Sequence, residues 1–136
     1  MEEFVRKVLS KYSSYRAEKE LFERWLSNRE NKEVREGLAL VEMKVAMIQS
    51  WFTLLTPDER LIIEKHLVEE LEWPRVSYTF SMCWKGEFTR TERTLLKYQA
   101  TGLKKIIEFV EAHRDMVQMV FGDLDEHIIA QDAVKQ

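Results

Sequence analysis

The sequence predicts an all-α fold, on three observations. Four glycines and two prolines in 136 residues leave little turn chemistry for β-hairpins. Apolar residues recur three and four positions apart over long stretches, the period of a helix with one buried face. A charged fraction of 33% beside an apolar fraction of 45% suits solvated helix faces over a modest core. A chain of this length fits one compact domain, or a small domain plus a helical arm.

From Glu2 to about Leu26, Val5, Val8, Tyr12, Tyr15, Phe22 and Leu26 fall at helical spacing. This predicts one helix, with Lys19 interrupting its apolar row and Ser13-Ser14 marking the point of a bend. Ser27-Asn28-Arg29-Glu30 has the form of a capping box, with Asn31 as a rival cap for the second helix. That helix carries Val34, Leu38, Val41, Val45, Ile48, Phe52 and Leu55 alternately four and three apart, the seam of a coiled coil or antiparallel helical hairpin, with packing on the first helix favoured over an intermolecular zipper because three or four heptads are barely reached. In Thr56-Pro57-Asp58-Glu59, Thr56 is the expected cap, Pro57 suits the first helical position and Glu59 closes a capping box. The third helix is expected to run through Leu61, Ile62, His66 and Leu67 to about Leu71. A short fourth helix starts near Glu72 with Pro74 in its first turn and contains Trp73, Val76, Tyr78 and Phe80. Ser81–Phe88 reads as irregular. From Thr89 or Thr91 a long helix with Leu95, Tyr98, Leu103, Ile106, Val110, Val117 and Val120 on one side is expected to reach Phe121 unbroken. Gly122-Asp123 then stops it and starts a last helix with Leu124, Ile128 and Ile129. The expected division is an arm over 1–55, a domain over 56–121 with an extended last helix, and a terminal helix over 122–136.

The only cysteine, Cys83, allows neither an internal disulfide nor a CxxC pair, which points to a reduced cytoplasm. Charges punctuate Met1–Lys11, and no stretch approaches the ~20 apolar residues of a membrane span, so neither secretion nor a membrane partner is expected. His66, His113 and His127 form no ligand pair, and Asp123-Leu124-Asp125-Glu126-His127 reads as helix-start acids, so no metal is expected. There is no glycine-rich phosphate loop, no GxSxG elbow and no histidine near Cys83 in sequence, so neither catalysis nor a cofactor is expected. Trp25, Trp51, Trp73 and Trp84 read mainly as core or interface fillers, Trp84 being the one to watch beside Lys85.

Formal charge is −3, which argues against a nonspecific polybasic coat but leaves room for a local basic face. From Lys85 to Lys105 the cations Lys85, Arg90, Arg93, Lys97, Lys104 and Lys105 stand against Glu87 and Glu92. On a helix Arg93, Lys97 and Lys104 fall broadly on one side, opposite Leu95, Tyr98 and Ile106. A basic face over an apolar one is what a helix entering the major groove requires, with outward side chains on base edges and flanking cations on phosphates. Thr89, Arg90 and Thr91 at the helix start would offer backbone N–H groups to a phosphate.

Two segments carry a resemblance. Glu72-Trp73-Pro74-Arg75-Val76-Ser77-Tyr78-Thr79-Phe80 resembles the first helix of the helix-turn-helix in sigma factor region 4. Thr91-Glu92-Arg93-Thr94-Leu95-Leu96-Lys97-Tyr98, continued by Gly102-Leu103-Lys104-Lys105-Ile106, resembles its recognition helix. Leu55-Thr56-Pro57-Asp58-Glu59-Arg60 is similar to the helix leading into that motif. In overall layout, over roughly Leu38 to Val110, the chain resembles phage transcriptional regulators of the ArpU and RinA type. The resemblance implies a DNA-binding regulator of prophage late genes with double-stranded DNA as partner. Arg75, Lys85, Arg90, Thr91, Arg93, Thr94, Lys97 and Lys104 are the expected contacts. A homodimer is expected, assembled through the amino-terminal helices or the stretch Ile107 to Phe121. Two departures stand out: Ser81–Arg90 replaces a tight turn, and Glu92 and Leu96 flank the outward face where the family often has arginines. They favour an alternative, a non-catalytic adaptor that binds RNA polymerase or another regulator.

Overall fold

The computed structural model describes residues 1–83 and 91–122 and is all-helical over them. Helices α1 (Glu2–Ser10), α2 (Tyr12–Asn28) and α3 (Lys32–Thr53) come first. Next is α4 (Pro57–Ile62), extended by a π-helical turn over Ile63–Val68. Helices α5 (Trp73–Cys83) and α6 (Glu92–Ala112) follow, then α7 over 114–122.

The hairpin forms as expected. Asn31 wins as the cap of α3, its side chain accepting from the Glu33 amide at 2.8 Å. Ser27 instead ends α2, its hydroxyl donating to the Arg24 carbonyl at 2.7 Å. Tyr12 meets Gln49 at one end of the pair and Phe22 meets Gly37 further along, so α2 and α3 run antiparallel. Val41, Val45, Ile48 and Phe52 of the seam are buried. Gly37 lets the helices close, since a Cβ there would lie 3.1 Å from the Phe22 ring.

Two expected continuities fail. The first helix breaks at Lys11 rather than bending at Ser13-Ser14, with the Lys11 amide turning onto the Val8 carbonyl at 3.1 Å. The break turns α1 onto the π turn and α6, where Phe4, Val5, Val8 and Leu9 are all buried. Likewise the long helix ends at Ala112 instead of reaching Phe121. His113 leaves helical geometry at φ −128°, ψ 39°. Beyond it α7 returns Val117, Val120 and Phe121 to the main core, where Phe121 meets the rings of Trp51 (5.9 Å), Tyr15 (6.2 Å) and Phe4 (6.3 Å). Ser81–Cys83, expected to be irregular, belong instead to α5. Thr89, Arg90, Lys85, Trp84 and the predicted last helix with Leu124, Ile128 and Ile129 lie outside the described residues.

The expected third helix does not stay α-helical to Leu71. Past Ile62 the bonding widens to the π pattern, and the segment closes with Glu69 N–H on the Glu64 carbonyl (2.9 Å) and Leu71 N–H on that of Lys65 (3.0 Å). Glu70 supplies the reversal at φ 57°, a conformation that costs a residue with a Cβ about 1 kcal/mol and that glycine adopts freely. Glu70→Gly is therefore expected to raise stability by about 1 kcal/mol in chemical denaturation; a loss would show that the exposed Glu70 side chain makes a stabilising contact.

Two apolar clusters result. The larger joins α1, α2, α3, the π turn, the second half of α6 and α7. The smaller gathers Ile62, Val76, Phe80 and Leu95 under Leu61, Leu71, Trp73 and Tyr98, and so ties α4, α5 and the start of α6 together.

Candidate nucleic-acid interface

The smaller cluster fixes how α6 is presented. Thr91 caps it, its hydroxyl accepting from the Thr94 amide at 3.3 Å. Leu95 is fully buried against α4 and α5, Leu103, Ile106 and Val110 enter the larger core, and Tyr98 is half-buried. Arg93, Lys97, Ala100 and Lys104, spaced four, three and four apart, are all exposed on the side turned away from those residues. Among the described residues no carboxylate lies within ion-pair distance of these three cations. By contrast Arg6, Lys19, Lys32, Arg60 and Lys65 each hold an acid one turn away.

The depth of α6 is set by a close crossing with α4. A Cβ at Gly102 would approach Ile63 Cδ1 to 2.6 Å and Glu59 Cβ to 3.3 Å. Glu59, 5% exposed, locks the crossing from α4. One carboxylate oxygen accepts from the Thr56 amide at 2.9 Å and from Lys105 Nζ at 2.7 Å, and the other accepts from the Thr101 hydroxyl at 2.8 Å. Burial would raise the Glu59 carboxyl, but the hydrogen bonds from Lys105, Thr56 and Thr101 and the Lys105 charge outweigh it and hold it below the usual carboxylate range. The capping-box glutamate is thus also an interhelical anchor.

Further along the same face of α6, buried Gln99 accepts through Oε1 from Nδ1–H of His66, whose ring stacks on Trp73 at 3.9 Å between centroids. This polar contact links the π turn, α5 and α6 where the smaller cluster meets the larger.

The expected contacts therefore separate. Arg93, Lys97 and Lys104 come together as one exposed row, and Arg75 is exposed on neighbouring α5. Thr91 and Thr94 are engaged with each other, their hydroxyls 3.0 Å apart, so they serve the helix start. Lys105, counted with the basic segment, turns back to Glu59. Lys85 and Arg90 lie outside the described residues. Leu96 is 44% exposed beside the basic row, and Tyr78 and Met82 are exposed on α5. Sequence reasoning missed Thr101, Gln99 and Gly102; a glycine and a glutamine in phase with Leu95 and Ile106 were the available signal.

Among the described residues no His, Cys, Asp and Glu side chains cluster as a metal site, and no helix is long and apolar enough to cross a membrane. No protein-family model, curated protein or solved structure matches the chain.

Proposed function

We infer that the protein is a DNA-binding transcriptional regulator, of the prophage type its sequence resembles, that lays the outer face of α6 in the major groove of duplex DNA. The observation that carries this reading is the row Arg93, Lys97 and Lys104, with no carboxylate at ion-pair distance among the described residues, on a helix whose opposite side is buried in a three-helix cluster. Lysine and arginine on such a face contact phosphates and guanine edges, and exposed Ala100 between them leaves room for close approach. The test is recovery of sheared genomic DNA on purified protein, comparing wild type with Arg93→Ala/Lys97→Ala. Enrichment of a few sites by wild type alone is expected; uniform or absent recovery overturns the reading.

A second reading follows from Leu96. An exposed leucine beside Lys97 suits a protein groove better than a phosphate, and an adaptor binding RNA polymerase would use it. Capture of polymerase that is abolished by Leu96→Asp and indifferent to Arg93→Ala would favour this reading over the first.

A further inference from the structure

The half of the α2–α3 hairpin distal to the core carries an apolar face that none of the described residues covers. On α3, Met47 and Trp51 are buried, whereas Leu40 and Met43 of the same row are 60% and 40% exposed. On α2, Leu21 and Trp25 are 43% and 49% exposed. Leu21, Trp25 and Leu40 each precede a seam residue, Phe22, Leu26 and Val41, by one position. In an antiparallel pair equal offsets from the seam rotate to the same side, so both rows form one face. At its base this face is occupied by Phe121 on Trp51, and above that point nothing in the described chain covers it.

We propose that this face pairs with the same face of a second copy of the chain, making a twofold-symmetric four-helix bundle. Three observations support a second copy as occupant. The four side chains expose on the order of 400 Å² of apolar surface, about the apolar half of the ~800 Å² each partner buries in a stable pair. The other stretch expected to assemble the protein, Ile107 to Phe121, commits Val110, Val117, Val120 and Phe121 to the chain's own core. Finally, Leu21 and Leu40 stand at the same level of the hairpin, so a twofold axis between copies sets leucine against leucine, the self-complementarity such an interface needs. Because Phe121 stands on this face at its base, the two hairpins run antiparallel, each tip reaching toward the other copy's body. The pairing rests on the DNA-binding reading only for its use, which is to give one assembly two α6 helices.

Sedimentation of the full chain without DNA tests it at micromolar concentration. Wild type should run at twice its 16.3 kDa mass. Leu40→Glu and Trp25→Glu should each weaken self-association at least 30-fold with helix content unchanged, since both side chains are exposed in one copy. Ala46→Glu, exposed on the opposite side of the hairpin, should leave the dimer intact. A monomeric wild type, or a dimer indifferent to both face variants, overturns the proposal. A dimer broken by these variants that binds no duplex would uphold it and remove the DNA-binding reading instead.

Discussion

Alanine at position 59 is expected to cost about 2–3 kcal/mol and to lower the melting temperature by on the order of 10 °C. The change removes the acceptor for the Thr56 amide, the Thr101 hydroxyl and the Lys105 ammonium at once; the amide loses its internal partner, and the hydroxyl keeps only the Tyr98 carbonyl at 3.1 Å. The upper figures for broken buried ion pairs do not apply, because the Lys105 side chain is 41% exposed and can reach water. The pH dependence separates this account from simple loss of packing. A carboxyl held below its usual range contributes its full stabilisation at neutral pH and loses it as pH falls through that depressed value. Wild type and Glu59→Ala should therefore converge in acid when their unfolding midpoints are compared across pH. Glu59→Gln, which keeps an oxygen for the cap but loses the charge, should fall between them at neutral pH. An unchanged gap in acid would mean that Glu59 acts through its methylenes rather than its carboxylate.

The second large effect concerns salt. If Arg93, Lys97 and Lys104 each neutralise one phosphate, the logarithm of duplex affinity should fall with the logarithm of salt at a slope of about −2.7, roughly a 40-fold loss over a fourfold rise in salt. Arg93→Ala/Lys97→Ala leaves one such contact and a slope near −0.9, about a fourfold loss over the same range. Binding at low salt should weaken by at least 100-fold in the double variant, with helix content preserved because both side chains are exposed. Fluorescence anisotropy on a labelled duplex recovered from genomic DNA measures both quantities. A slope that the double variant does not change would remove α6 as the DNA-contacting helix.

Much of this architecture is written locally. Thr56-Pro57-Asp58-Glu59 starts a helix because its cap, its proline and its acid each satisfy or dispense with a neighbouring backbone N–H, and the structure forms that capping box. Asn31 and Thr91 act in the same local way, and the seam of α3 is legible because burial follows the helical period. The breaks at Lys11 and His113 carry no glycine or proline and were not legible. They exist because two short apolar rows, Phe4 to Leu9 and Val117 to Phe121, must both reach the larger core, where Phe4 and Trp51 each meet Phe121, a demand visible only in three dimensions. At the candidate site the same division holds. The phase of Arg93, Lys97 and Lys104 can be counted along the chain. The diversion of Lys105 to Glu59, and the bond from His66 to Gln99, join positions far apart in sequence.

One consequence follows from α6 belonging to both apolar clusters. Its first turns are held by the small group of Ile62, Val76, Phe80 and Leu95, and its later turns by the much larger core around Trp51. Opening events that release α5 disrupt the small group and the stack of Trp73 on His66 but leave the larger core in place, so they are cheaper than global unfolding and do not require the later turns of α6 to melt. The protein can thus breathe next to its basic helix while that helix keeps its axis, and a surface of low local stability sits on a mount of high stability.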